Sequence, residues 1–278
     1  MVEVPKMIEA LQLPFMQNAL LAGILAAIAC GIIGSLVVVN RSVFMAGGIA
    51  HAAYGGVGIA FFFSLPALPC IIGFSLLVAL LMAALTVKHS SRMDTIIGVL
   101  WAVGMAMGII LVDLTPGYNV DLMSFLFGSI LAVPHSDVHI MVALVSLIVV
   151  VVVSFYKELL SISYDREFSQ VRGVKVVPLH FLLLCLIAIA VVMTIRVVGL
   201  ILVMALFTIA PYLVERYARS LAMMMVCASV LNILFVLVGL WLSYSFDLTS
   251  GATIILTAAC FFIVFETTVA VMRKFRQG

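Results

Sequence analysis

Few side chains in this sequence can do chemistry, so their positions carry most of the information. The 278 residues hold 14 Lys and Arg, 12 Asp and Glu and five His. His51 lies in the run Met45, Ala46, Gly47, Gly48, Ile49, Ala50, His51, Ala52, Ala53, Tyr54, Gly55, Gly56, Val57, Gly58. On a helix, Gly47, His51, Gly55 and Gly58 fall on one face, because residues three and four apart stack. A strip of glycines lets two backbones approach closely in lipid, at a pathway or between two copies of the chain. An ionisable residue in that setting points first to function. Neutral imidazole ligates zinc and other borderline metals, which makes His51 a transient pathway ligand. The plainer alternative is a histidine held by a neighbouring carbonyl or hydroxyl.

A second set is His135, Asp137 and His139, with the ligand types for an outer metal stop. Its plainer alternative is a polar helix entry with Asp137 near the cap. A third is Asp165, Arg166, Glu167, Phe168, Val171 and Gly173. Asp165 suits an N-cap, Phe168 and Val171 lie three apart, and Gly173 suits a helix stop. These make a short capped amphipathic helix, either a solvated connector or a coupling element seated in a groove of an ATPase. Cys30, Cys70, Cys185, Cys227 and Cys260 stand singly without a CxxC pattern, as small apolar core residues do. The 16 Met residues read as packing filler.

The elements that position these groups are membrane helices. Hydrophobic residues make up 66% of the chain and charged ones 9%, with a mean hydropathy of +1.37; a soluble domain has roughly 25% charged residues. Apolar runs able to cross a hydrocarbon core of about 30 Å fall at Phe15 to Val39, Val43 to Ser64, Ala67 to Val87, Thr95 to Val112, His139 to Phe155, Pro178 to Ile195, Val197 to Val214, Leu221 to Ser245 and Ala252 to Met272. The expected fold is an all-α polytopic membrane protein with eight or nine spans, the stretch Val43 to Ser64 being the uncertain crossing. Pro178 to Val214 contains no polar loop, yet one helix of that length would be about 55 Å long. It has to turn near Arg196 and Gly199.

Basic residues fix the expected orientation, since short cytoplasmic loops are rich in Lys and Arg. With the C-terminus inside, the inner loops hold Arg41, Lys88, Arg92, Lys157, Arg166, Arg172, Lys175, Arg216, Arg219, Arg273, Lys274 and Arg276, leaving only Lys6 and Arg196 outside. The organisation expected is an extracytoplasmic segment over 1–14, one membrane domain over 15–272 with an inner loop at 156–177, and a cytoplasmic tail over 273–278. Residues 1–14 do not read as a cleaved signal. An outer insertion from Asp113 to Val138 includes Val120 to Leu131, an amphiphilic piece suited to a short interfacial helix. No basic stripe suggests nucleic acid. No GxxxxGK[ST] motif occurs, so any ATP and Mg are used by another subunit and no cofactor is expected on this chain.

Several motifs in one order resemble the permease family of bacterial zinc, manganese and iron ABC importers. They are Asp94 to Leu100, Val120 to Leu131, Ile162 to Val174, Arg196 to Ala205 and Asp247 to Thr253, and the match spans nearly the whole chain. The resemblance implies a type II ABC importer permease architecture and a homodimer. Its implied partners are two cytoplasmic ATPase subunits gripping Asp165 to Gly173 and a metal-binding protein docking outside. The cargo implied is a divalent transition-metal ion, zinc before manganese or iron, moved by alternating access. The family usually carries an aspartate four residues before the histidine; here that position is Gly47. The competing readings are a permease for a metal chelate or corrinoid, whose members are usually longer, and a proton-coupled secondary metal transporter, against which the inner loop argues.

Overall fold

The computed structural model describes residues 13–88, 92–115, 128 and 130–277. Among these residues every regular element is a helix, since a helix satisfies its own backbone where lipid cannot. In chain order they are α1 (Pro14–Val39), α2 (Val43–Ala52), α3 (Tyr54–Phe62), α4 (Ala67–Lys88), α5 (Met93–Asp113), α6 (His135–Ser154), α7 (Tyr156–Tyr164), α8 (Arg166–Val171), α9 (Val176–Glu215), α10 (Leu221–Phe246) and α11 (Ser250–Gln277). A 3-10 turn at Ile130–Ala132 precedes α6. By length and composition the described residues contain nine spans able to cross a membrane, with α2 and α3 together making one and α9 making two. Helix α6 starts earlier than expected, at His135, because the extended backbone of Pro134 already serves as its N-cap. Residues 1–12 of the expected outer segment, Gly278 of the tail and most of Val120 to Leu131 lie outside the described residues.

Helix α1 is the central post. Its small side chains, including Ala19, Ala22, Ala26, Ala29 and Cys30, are fully buried and let α9 and α10 close upon it. A Cβ on Gly31 would collide with the backbone of Ser229, and one on Gly34 would lie 2.7 Å from the carbonyl oxygen of Phe207. Such backbone contact is how helices associate where water supplies no driving force. Polar groups lock the seam. Ser229 donates to the Ile28 carbonyl at 3.3 Å, and Asn232 Nδ2 donates to the Leu206 carbonyl at 3.0 Å.

The expected turn within the longest apolar run is present at Gly199, whose φ of 79° and ψ of 166° are non-helical. The contacts to α1 show that the chain reverses there. Cys30 Sγ lies 3.8 Å from Thr194 Oγ1, and Gly34, one turn further on, abuts Phe207. One straight helix would hold Thr194 and Phe207 about 20 Å apart, against about 6 Å between Cys30 and Gly34. Broken backbone at membrane depth has to be covered by protein. Gly128, with φ of 66°, does so: a Cβ there would collide with Val198 and Gly199.

The expected capped helix forms as α8. The Asp165 carboxylate accepts from Phe168 N at 2.9 Å, and Gly173 takes a φ of 84°, the left-handed conformation that closes α8. Ser169, buried beneath α8, meets Ser161 of α7, Oγ to Oγ at 2.6 Å. Phe168 and Val171 face outward, 56% and 87% exposed. From α7, Ser163 Oγ accepts from Asn40 Nδ2 at 2.8 Å, and Asn40 is the C-cap of α1. The next residue, Arg41, turns the chain into α2 with a φ of 53°.

Candidate functional site

Helix α2 ends at Ala52, and α3 begins at Tyr54. Ala53 between them keeps a helical backbone, with φ of −53° and ψ of −23°. Gly55 and Gly58 lie beyond it and are buried within the chain, not along an open face. A Cβ on Gly55 would meet the Phe74 ring at 2.5 Å, and one on Gly58 would meet the Gly108 carbonyl oxygen at the same distance. They pack α3 onto α4 and α5. Gly47 and His51, in α2, face a cavity of about 1190 Å³ between α2, α5, α9 and α11. Sequence spacing placed four residues on one face; two of them reach the cavity.

The cavity is mostly apolar. Its polar or polarisable lining consists of Arg41, His51, Trp101, Met204, Thr208 and Tyr212, and among the described lining residues there is no Asp or Glu. His51 is half-buried and stacks on Trp101, with ring centroids 4.0 Å apart and planes inclined by 15°. The indole N–H of Trp101 points to Met105 Sδ at 3.1 Å, which holds the wall in place. His51 Nδ1 is buried and has no hydrogen-bond partner. The plainer reading of a histidine tied to a carbonyl or hydroxyl therefore does not describe that nitrogen. Across the cavity, a Cβ on Gly47 would meet Met204 Cε at 3.2 Å and Sδ at 3.7 Å. The Met204 thioether occupies the space into which a longer residue at 47 would project.

Beside the cavity, Arg216 donates to Tyr212 Oη at 2.7 Å and pairs with Glu266 at 2.9 Å. This joins the inner end of α9 to α11. Both charged side chains are about a third exposed, so the pair positions Tyr212 more than it stabilises the fold.

His135 and His139 are placed differently. His135 Nδ1 donates to Asn18 Oδ1 at 2.9 Å, and His139 Nδ1 donates to the His135 carbonyl at 2.9 Å. Their rings meet edge to face with centroids 5.0 Å apart. Among the described residues no group of three or more His, Cys, Asp or Glu is arranged to hold a metal ion. The histidines come together; a three-residue set with Asp137 does not form. Sequence reasoning passed over Trp101, Met204, Thr208 and Tyr212. The signal available for Trp101 was that it is one of only two Trp in the chain. Met204 had none, being one methionine among many. It also passed over His180, buried against Thr86 Oγ1 at 3.1 Å and joining α9 to α4.

Many apolar spans around a histidine-bearing cavity, with a capped helix between two of them, define a multi-pass membrane permease. The chain belongs to the ABC 3 transport family, whose profile matches residues 12–268. It is 48% identical over 258 residues to an uncharacterised membrane protein of Synechocystis, covering 93% of this chain and 92% of that protein. It is 32% identical over 250 residues to the manganese import system permease protein ScaB of Streptococcus gordonii, covering 90% of each. Among solved structures, PsaBC from Streptococcus pneumoniae in complex with Fab superposes with a TM-score of 0.85 at 31% identity, over 94% of this chain and 95% of that one.

Proposed function

We propose that this chain is the permease subunit of an ATP-driven importer that carries a divalent transition-metal ion into the cytoplasm. Two copies form the pathway about a two-fold axis, with the N-terminus outside and the C-terminus inside. Two ATPase subunits, which use ATP and Mg, grip α8, and an extracytoplasmic metal-binding protein delivers the ion. The observation that carries the reading is the open cavity that His51 lines, with one of its ring nitrogens buried and unpartnered.

The working cycle is alternating access. ATP draws the ATPases together and moves α8 through the exposed Phe168 and Val171. The Ser169–Ser161 and Ser163–Asn40 hydrogen bonds join that movement to the end of α1. Arg41 follows Asn40 directly and lines the cavity, so a shift of α8 alters the cavity's inner mouth. His51 ligates in passing, since a closed cage would retain the ion.

The relatives named for a particular metal point to manganese. The cavity lining favours zinc ahead of manganese or iron, because manganese suits carboxylate and carbonyl oxygen, whereas imidazole suits zinc. The test is uptake of zinc, manganese and iron into vesicles holding the complex with its ATPase and binding protein. The intact chain accumulates metal on ATP addition, and Phe168→Ala assembles but uncouples hydrolysis from uptake. Failure of the intact complex to move any of the three metals would sink the proposal.

A further inference from the structure

We infer that Met204 is a second donor to the transported ion, its thioether acting with the His51 imidazole, and that this pair sets the preference for zinc over manganese. The inference rests on the importer reading above. It starts from the donors that the cavity offers. Arg41 carries a fixed positive charge and cannot ligate. The Trp101 N–H is only a donor and is directed at Met105 Sδ, 3.1 Å away. Thr208 Oγ1 gives its proton to the Met204 carbonyl at 2.7 Å, and Tyr212 Oη accepts from the Arg216 guanidinium at 2.7 Å. Both are neutral oxygens held in hydrogen bonds along α9. His51 and Met204 remain.

Met204 differs from a methionine that merely fills a core. Leu202, Val203, Leu206 and Phe207 around it are buried, while Met204 is half-buried and lines the cavity. Its terminal methyl and sulfur stand over Gly47, where no side chain covers them. Gly47 lies four residues before His51, one helical turn along the same face, so the thioether and the imidazole address the same stretch of the cavity. A thioether is a soft ligand; together with imidazole it favours zinc over manganese. It also binds weakly, as a site that must release its ion requires. In the two-fold assembly each copy supplies one imidazole and one thioether, four donors in all, the number zinc takes in tetrahedral coordination.

The experiment compares the intact permease with Met204→Leu, each purified with its ATPase and supplied with its metal-binding protein, using zinc and manganese as probes. Uptake into vesicles gives the ratio of zinc to manganese, and zinc-edge X-ray absorption of the loaded complex reports sulfur bound to the ion. The expected result is a several-fold lower zinc-to-manganese ratio and loss of a sulfur scatterer in Met204→Leu, with co-purification of the ATPase retained. An unchanged ratio with an unchanged sulfur shell overturns the inference. Should the intact complex take up no metal, the importer reading fails, and the absorption spectra alone decide whether Met204 binds zinc. Met204→Cys is the second variant: a retained sulfur shell with zinc preference restored supports the inference, and a ratio as low as that of Met204→Leu overturns it.

Discussion

The histidines at the start of α6 and the cavity histidine offer the same imidazole chemistry in opposite settings. His135 and His139 are exposed, and each has its Nδ1 tied by a hydrogen bond. His51 has a buried Nδ1 with no partner and stacks on Trp101. A tethered ring is the arrangement of a firmly bound metal, because the second hydrogen bond fixes ring orientation and raises ligand basicity. At His135 and His139 the tethers exist without a third ligand among the described residues. In the cavity the ring nitrogen Nδ1 lacks such a tether, and the proposed pathway runs past it. A transit ligand is better served by weak restraint than by a rigid one.

Substitutions can break that contrast. His51→Ala is expected to have the largest effect, a loss of metal uptake of about tenfold or more, the scale seen when metal-site support is removed; uptake assays on an assembled complex measure it. Trp101→Leu comes next. Removing a ring stack worth about 0.5–1.5 kcal/mol should lower uptake by about two- to tenfold while leaving ATPase binding intact. His135→Ala acts on stability instead, costing about 1 kcal/mol for its hydrogen bond to Asn18, visible as a lower melting temperature with uptake preserved. His139→Gln should be the mildest, with uptake unchanged. If His139→Gln reduced uptake as strongly as His51→Ala, the distinction between the two settings would fail.

Much of the fold was legible because membrane helices announce themselves by length. The reversal at Gly199 followed from a run too long for one crossing, with glycine as the residue that accepts a φ of 79°. Asp165 and Gly173 marked both ends of α8 because capping is local chemistry. The site was less legible. The spacing of Gly47, His51, Gly55 and Gly58 could not say which neighbours cover each of them, and Phe74 and Gly108 close over the last two. Met204 and Trp101 reach His51 from helices far along the chain, and no sequence period reports such a meeting. The family's usual aspartate is absent at Gly47, and only the packed structure shows which side chain stands beside the gap.

The contact between Gly128 and Gly199 has a practical consequence for anyone labelling this protein. Outer connections of membrane proteins are the usual places for epitope tags and reporter groups, because exposed loop tips tolerate insertion. The short turn at Ser64, where φ is 53° between α3 and α4, fits that rule. The connection at Gly128 does not, since it is pressed against the broken backbone of α9. A tag placed there would act as a wedge and a tag at Ser64 as a flag.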